Sequence, residues 1–319
     1  MTTSRKVGVI LKGGLGNQLF QIAAGIYASN GHSFEIYSKF TNPRETLGIC
    51  DAFYFDWPDG VVENAIPSSR FEKKLLAMSL STSIVINKTQ RQTLLHKTIS
   101  CINALFFSVK FRKPTKIISG DGTGFSPIKL SPGNNLLNGY FQAHQYPVSP
   151  IANSRLHEIR IKSPSVTLES WIQKAKSEKP VIVHLRLGDY RQEYGIGVLP
   201  KDYYQKALAQ LADKGKSKNI WIFTNEPESV NEFFTLDPSY EVRVLGNFGL
   251  NPAETLELMR FGSAYVIANS TYSWWGAFLA YDSECIRIMP KPWFQLLPSP
   301  RGINPKNWIE IDYLSKENE

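Results

Sequence analysis

In the second half of the chain, continuous apolar runs alternate with amphipathic ones. PVIVHLRLGD (180–189) has the pattern of a buried strand, and KDYYQKALAQLADKG follows with Tyr204, Ala207, Leu208 and Leu211 at helical spacing and Gly215 as its stop. NIWIFTNEP then reads as a strand, PESVNEFF as a short helix, EVRVLG as a strand, NPAETLELMRFG as a helix, AYVIANS as a strand, TYSWWGAFLAY as a helix and CIRIMP as a strand. Apolar strands joined by helices predict a parallel sheet covered on both faces, an α/β arrangement. Sheets of that kind bind ligands beyond the carboxyl ends of their strands. The residues that follow each strand are therefore the place to look: Arg186-Leu187-Gly188-Asp189, Thr224-Asn225-Glu226, Gly246-Asn247 and Asn269-Ser270-Thr271.

The first half is less regular. VGVIL reads as a strand, a glycine loop follows, and a helix begins near Asn17 with Leu19, Ile22, Ala23, Ile26 and Tyr27 on one face; SFEIYS reads as the next strand. Residues 65–117 are expected to be mostly helical, and NNLLNGYFQAHQY to be a strand leading toward the second domain. Between about 150 and 178 the Pro-, Ser- and charge-rich stretch lacks periodicity, which places a boundary there and divides the chain into domains 1–160 and 161–319.

The loop KGGLGNQLFQ puts Gly13, Gly14 and Gly16 beside Asn17 and Gln18, between strand and helix. A phosphate loop requires Lys and Ser or Thr after the glycines, and a dinucleotide fingerprint requires a small residue where Leu19 stands, so neither familiar reading fits. What remains is a loop that offers amides to a neutral polyol or a diphosphate.

Composition narrows the class. Hydrophobic residues at 42% and charged residues at 20% describe a globular chain, and no apolar run reaches the ~20 residues of a membrane span. The start of the chain has no signal-peptide pattern. Cys50, Cys101 and Cys285 are far apart and form no metal-type or disulfide-type spacing, which fits a reducing cytoplasm. The net charge of +8 is concentrated: between Arg70 and Lys116 ten Lys and Arg oppose the single acid Glu72. That segment reads as a solvated basic face or as a patch for anionic lipid headgroups or a diphosphate-linked acceptor. It lacks any accompanying nucleic-acid fold signature, so no nucleic-acid partner is expected.

Two stretches carry chemistry. In HLRLGDY, His184 and Arg186 stand two apart on a strand and share a face, while Gly188 turns the chain so that Asp189 folds back. A strand-end Arg presents a fork that matches phosphate oxygens, or it ties the loop down through Asp189 with His184 as a core residue. In IANSTYSWWGAF, Asn269, Ser270 and Thr271 stand where a helix begins, which makes either an anion site or an ordinary cap; Trp274 and Trp275 read as core.

KGGLGNQLFQ, GYFQ (139–142), HLRLGDY (184–190), DYYQKAL (202–208) and NSTYSWWGAFL (269–279), in that order, resemble the bacterial α-1,2-fucosyltransferases of glycosyltransferase family 11. The resemblance implies a GT-B-type architecture of two facing Rossmann-like domains with parallel sheets, the first on the acceptor side with a basic helical segment at 65–117, the second binding the nucleotide sugar. It implies GDP-β-L-fucose as donor, inversion to an α-linked fucoside, a galactose-containing oligosaccharide, free or lipid-linked, as acceptor, and work in the cytoplasm or at the inner face of an anionic membrane.

On that resemblance Arg186 holds the donor's β-phosphate, with His184 and Asp189 completing the catalytic motif. Gly14, Gly16, Asn17 and Gln18 contact the donor, joined by Asn225, Asn269, Ser270 and Thr271. Relatives commonly carry a second Arg where this chain has Leu187. No strand-end carboxylate cluster suggests a metal, so no cofactor or metal is expected. Asp189, His184 and, in the first domain, Glu35 are the candidates for the base. The alternatives are a transferase of the same architecture with another nucleotide sugar, and a carbohydrate-binding protein without turnover.

Overall fold

The computed structural model describes residues 5–37, 49–55, 61–63, 90–112, 114–119, 124–193, 195–235 and 238–314. The chain divides into two units, Met1–Lys162 with Pro300–Ile303, and Ser163–Ser299 with Asn304–Glu319. The expected boundary after residue 160 stands beside an observed one after Lys162, and a four-residue return to the first unit at Pro300 has no signal in the sequence.

In the first unit β1 (Arg5–Ile10) leads through the glycine loop into α1 (Leu15–Ser29), then β2 (Phe34–Tyr37), α2 (Ile49–Ala52), β3 (Phe53–Tyr54) and β4 (Val61–Glu63). After these come α3 (Gln90–Phe111), β5 (Thr115–Ile118), β6 (Gly133–Leu137), α4 (Pro150–His157) and β7 (Arg160–Ile161). Strands β4-β2-β1-β6-β5 form one parallel sheet in that order, and β3 pairs with β7 as a small antiparallel ribbon. The buried stripe of α1, Leu19, Ile22, Ala23 and Ile26, packs toward the sheet as its spacing predicts, while Tyr27 stands half-exposed at its edge.

Two expectations need correction. The helical segment expected over 65–117 is helix only over Gln90–Phe111 within the described residues, and Thr115–Ile118 is a strand. The alternation of TKII, with Thr115 and Ile117 buried, is a strand pattern that the surrounding basic residues conceal. Residues 65–89, with Arg70, Lys73, Lys74 and Lys88, lie outside the described residues. The strand expected over NNLLNGYFQAHQY ends at Leu137, and Asn138 to His144 run on as irregular backbone.

In the second unit α5 (Val166–Glu178) precedes β8 (Val181–Leu185), a 3-10 turn (Gly188–Arg191), α6 (Lys201–Asp213), β9 (Asn219–Thr224), α7 (Val230–Phe233), β10 (Glu241–Leu245) and α8 (Pro252–Met259). Then come β11 (Ala264–Val266), α9 (Thr271–Phe278), β12 (Ile286–Lys291) and β13 (Ile309–Asp312). The six strands are all parallel in the order β10-β9-β8-β11-β12-β13, and every residue of β8 is buried. IEID alternates weakly and only Ile311 of its four residues is buried, so the sequence pattern does not mark β13. Trp274 and Trp275 are fully buried, as read from the sequence; Trp274 stacks on Phe278 at 4.9 Å.

That strand order fixes where ligands go. From β8 the chain builds outward through β9 to β10, then crosses back to place β11 on the other side of β8. The direction of winding reverses between β8 and β11, so the loops leaving these two strands diverge and open a crevice at their carboxyl ends. In the first unit the equivalent reversal lies between β1 and β6.

Candidate functional site

The crevice of the second unit is bounded by Arg186–Asp189 after β8 and Ile267–Thr271 after β11. Of the four strand ends singled out in the sequence, topology selects these two. The end of β9 supplies the frame, and Gly246-Asn247 follows β10 at the far edge of the sheet.

Arg186 is held from two sides. Its Nη2 donates to Asp189 Oδ2 at 2.9 Å and lies 2.8 Å from Oδ1 in the same ion pair, and its guanidinium lies 5.3 Å from the centre of the Tyr190 ring. About a third of its side chain remains exposed, so the fork is braced yet accessible. The loop that carries it is pinned from β9: Asn225 Oδ1 accepts from Leu187 N at 3.0 Å, and Glu226 Oε1 from Gly188 N at 2.7 Å. Arg191 donates to Glu226 Oε2 at 3.1 Å and closes the same cluster. Leu187 itself is buried among Val183, Leu185, Tyr204 and Ala268 in the core of the unit. Leu187 therefore points inward, away from the crevice.

His184 is 6% exposed. Burial, reinforced by the positive charge of Arg186, lowers its pKa to about 3, so the imidazole is neutral at physiological pH. Its ring lies 6.1 Å from that of Tyr272, the second residue of α9. Asn269 is buried and donates through Nδ2 to the carbonyls of Ile196 and Gly197, which ties the loop before α6 to the end of β11. Ser270 caps α9 in position without a side-chain cap bond, and the first turn of that helix holds no acid. The N–H groups of this turn and the Arg186 guanidinium thus belong to the two walls of one crevice.

Three buried polar atoms on these walls have no protein partner: His184 Nδ1, Arg186 Nε and Asn269 Oδ1. Other buried side-chain atoms among the described residues also lack a partner, but these three share one strand-end crevice, which makes it the candidate site for a polar ligand.

Two residues that carried no role in the sequence reading shape this crevice. Tyr203 on α6 donates to the carbonyl of Ile267 at 2.6 Å, and Tyr204 to the carbonyl of His184 at 3.2 Å. Adjacent phenols thereby hold the two strand ends that flank the reversal. The signal was the YY pair within a helical pattern, since a buried Tyr needs a partner for its hydroxyl.

In the first unit the glycine loop lies at the end of β1. Gly13 has φ of +73°, and a Cβ there would stand 2.7 Å from Asn17 Nδ2. Gln18 is buried and holds backbone at both ends of its amide, donating to Gly13 O and accepting from Ile49 N. Gln21 clamps Lys12 in the same way, accepting from its N–H and donating to its carbonyl. Gly16 is buried within α1, whereas Gly14 is exposed at the helix start and faces open space. Asn17 Oδ1 accepts from Gln142 Nε2 at 2.8 Å, and Lys12 Nζ donates to Asn138 Oδ1. The glycine loop and GYFQ, which are 125 residues apart, thus meet at this unit's own reversal point. Glu35, on β2, accepts from Tyr37 and lies 3.9 Å from Lys6. Among the described residues no group of His, Cys, Asp or Glu is arranged to hold a metal ion.

Comparison with known proteins follows the same lines. The sequence model of glycosyl transferase family 11 matches residues 6–312. The O-antigen biosynthesis glycosyltransferase WbnK of Escherichia coli is 35% identical over 116 residues, 35% of this chain and 38% of that protein. An α-1,2-colitosyltransferase of Escherichia coli is 28% identical over 145 residues, 41% of this chain and 47% of that protein. The chain thus spans less than half the length of these curated relatives. Among solved structures the fucosyltransferase NodZ from Bradyrhizobium aligns over 88% of this chain and 98% of its own, with a TM-score of 0.50 and 13% sequence identity, a likeness of GT-B-type fold.

Proposed function

The chain belongs to glycosyl transferase family 11, and from that premise we propose that it transfers L-fucose from GDP-β-L-fucose, with inversion, to a galactose-type hydroxyl of a surface glycan such as an O-antigen repeat, forming an α-1,2 linkage. The observation that carries the proposal is the crevice between β8 and β11, where a braced, accessible Arg186 and the acid-free N-terminus of α9 stand beside three orphaned polar atoms. Negative charge develops on the departing diphosphate as the sugar–phosphate bond breaks. Donors already aimed at that charge need no reorganisation when it forms. The names of the two curated relatives, one an O-antigen glycosyltransferase and one specifying an α-1,2 linkage, support the acceptor class and the linkage.

In this reading Arg186 binds the β-phosphate and stabilises the leaving GDP. Asp189 orients Arg186 through both oxygens, and its carboxylate is occupied in doing so. His184, neutral and nearly enclosed, is a poor base and serves the loop by packing against α9. Asn269, Ser270 and Thr271 present the start of α9 to the diphosphate, and Asn225 sets the loop geometry. Gly14, exposed at the start of α1, is the glycine-loop residue that offers its backbone to a sugar or phosphate oxygen, with the half-buried Asn17 beside it. The acceptor oxygen bonds to the anomeric carbon as the bond to the β-phosphate oxygen breaks, the electron pair leaves with GDP, and the hydroxyl proton passes to water or to the released diphosphate. Three free cysteines fit a reducing cytoplasm.

A second reading, the same transfer with another sugar on the nucleotide, is favoured by the relative named for colitose. One experiment separates the two. GDP release is measured from GDP-fucose and from other GDP-sugars, in EDTA, with and without a panel of β-galactosides. Acceptor-stimulated release from GDP-fucose alone supports the first reading. Release only from another GDP-sugar supports the second, and EDTA-sensitive release removes metal independence.

A further inference from the structure

Helix α3 is apolar on two different faces. One face belongs to the first unit's core: Phe107 is fully buried against Ile10, Tyr37, Ile117 and Leu136, with Ile99 buried two turns before it. Ser108 secures that face by donating to Ala104 O and accepting from Thr115 N at the start of β5. A second stripe is formed by Leu95, Ile102, Leu105 and Val109, whose spacings of seven, three and four place them along one side of the helix. These four are exposed by 52%, 51%, 68% and 72%. A helix buried on one side ordinarily carries polar residues on the other, so this second stripe needs an occupant.

Charge identifies which occupant. From Gln90 to Lys116 the sequence holds Arg91, Lys97, Lys110, Arg112, Lys113 and Lys116 and not one acid. Lys97, Arg112 and Lys116 are exposed in the structure. A second copy of the chain seated on this stripe would bring two acid-free, basic segments together. An anionic bilayer accepts both features at once, with aliphatic side chains entering the acyl boundary and cations meeting the headgroups. We propose that the exposed Leu95–Ile102–Leu105–Val109 stripe of α3 is a membrane-docking surface that lies in the interface plane of anionic lipid. No helix among the described residues is long and apolar enough to cross a membrane, and docking of this kind needs none.

The test uses the full chain and vesicles of phosphatidylcholine, with and without phosphatidylglycerol, in sedimentation. Wild-type protein is expected to pellet with the anionic vesicles at low salt and to be released as salt screens the headgroups. Leu105→Glu with Val109→Glu is expected to weaken that binding by about tenfold or more, because two side chains that would enter the acyl boundary become charged. Both positions are exposed, so the folded state is expected to keep its circular dichroism and melting temperature. Binding to anionic vesicles that the double variant leaves unchanged would overturn the assignment to α3. A wild-type chain that ignores vesicles and elutes as a dimer, dissociated by the same variant, would give the stripe to a second copy and overturn the lipid assignment. Turnover on a soluble acceptor is measured alongside; the stripe takes no part in sugar transfer, so failure of docking and failure of the fucosyltransferase reading give different results.

Discussion

Asn225 holds Leu187 and crowds Gly188 in one arrangement: its Oδ1 accepts from Leu187 N at 3.0 Å, and its Nδ2 stands 2.1 Å from where a Cβ on Gly188 would be. Gly188 also has φ of +46°, in the left-handed region. The turn that aims Arg186 therefore favours glycine, and the end of β9 sets its position. Gly188→Ala is expected to destabilise the protein by about 1–3 kcal/mol, through backbone strain and displacement of Asn225, and to lower turnover by misplacing Arg186. Urea unfolding beside turnover measures both. An unchanged midpoint would show that the turn adapts without strain.

Arg186→Ala is expected to cost roughly 10²-fold or more in turnover, by analogy with loss of one oxyanion donor, while the melting temperature stays near wild type. Arg186→Lys keeps the charge but loses the fork held by Asp189, so its turnover should fall between the two. Equal rates for all three proteins would remove Arg186 from the chemistry.

Leu187→Arg places a second Arg beside Arg186, in a position that is fully buried. Taking an unpaired guanidinium out of water costs several kcal/mol, on the order of 3 or more, so the variant is expected to unfold at markedly lower urea concentration. A variant as stable as wild type would mean that the loop can turn this position toward solvent.

Two groups, the buried His184 and the half-buried Lys12, make stability depend on pH. His184 titrates at about 3 in the folded chain against an ordinary 6.5, because burial and the nearby Arg186 disfavour its charged form. The unfolded chain binds more protons in that interval, so stability falls as pH drops from about 6.5 toward 3. The His184 ring protons, followed by NMR, should show no titration between pH 8 and 5. A midpoint near 6.5 would place the ring in solvent.

Lys12 is lowered from 10.5 to about 8 by burial. Again the unfolded chain holds more protons, here between about pH 8 and 10.5, so stability rises with pH across that range. Lys12→Met is expected to be more stable than wild type at pH 7 by up to about 3 kcal/mol and to lose that advantage as pH passes 10. A variant that is less stable at pH 7 would mean that the bond from Lys12 to Asn138 outweighs the cost of burying the charge.

The two adjacent tyrosines permit a stability test independent of catalysis. Tyr203→Phe leaves the buried carbonyl of Ile267 with one bond fewer and should cost about 1–3 kcal/mol, as should Tyr204→Phe at His184. The two rings touch edge to face at 5.0 Å, so calorimetry of the single and double variants is expected to show costs that do not simply add.

The sequence alone determined the alternation of strand and helix in the second unit, because an interior strand must be apolar along its whole length and its covering helix must be apolar on one stripe. It also determined which residues lie at strand ends, and so the location of Arg186, Asp189, Asn269 and Thr271. Only the tertiary structure decided which strand ends adjoin. The order β10-β9-β8-β11-β12-β13 depends on pairings between segments far apart in the chain, which local periodicity does not encode. Tertiary structure likewise decided that Gln18 and Asn225 hold backbone, that Leu187 turns into the core, and that two tyrosines pin the ends of β8 and β11. An amide or a phenol has the same composition whether it meets a ligand or a neighbouring carbonyl, and only packing shows which partner it has.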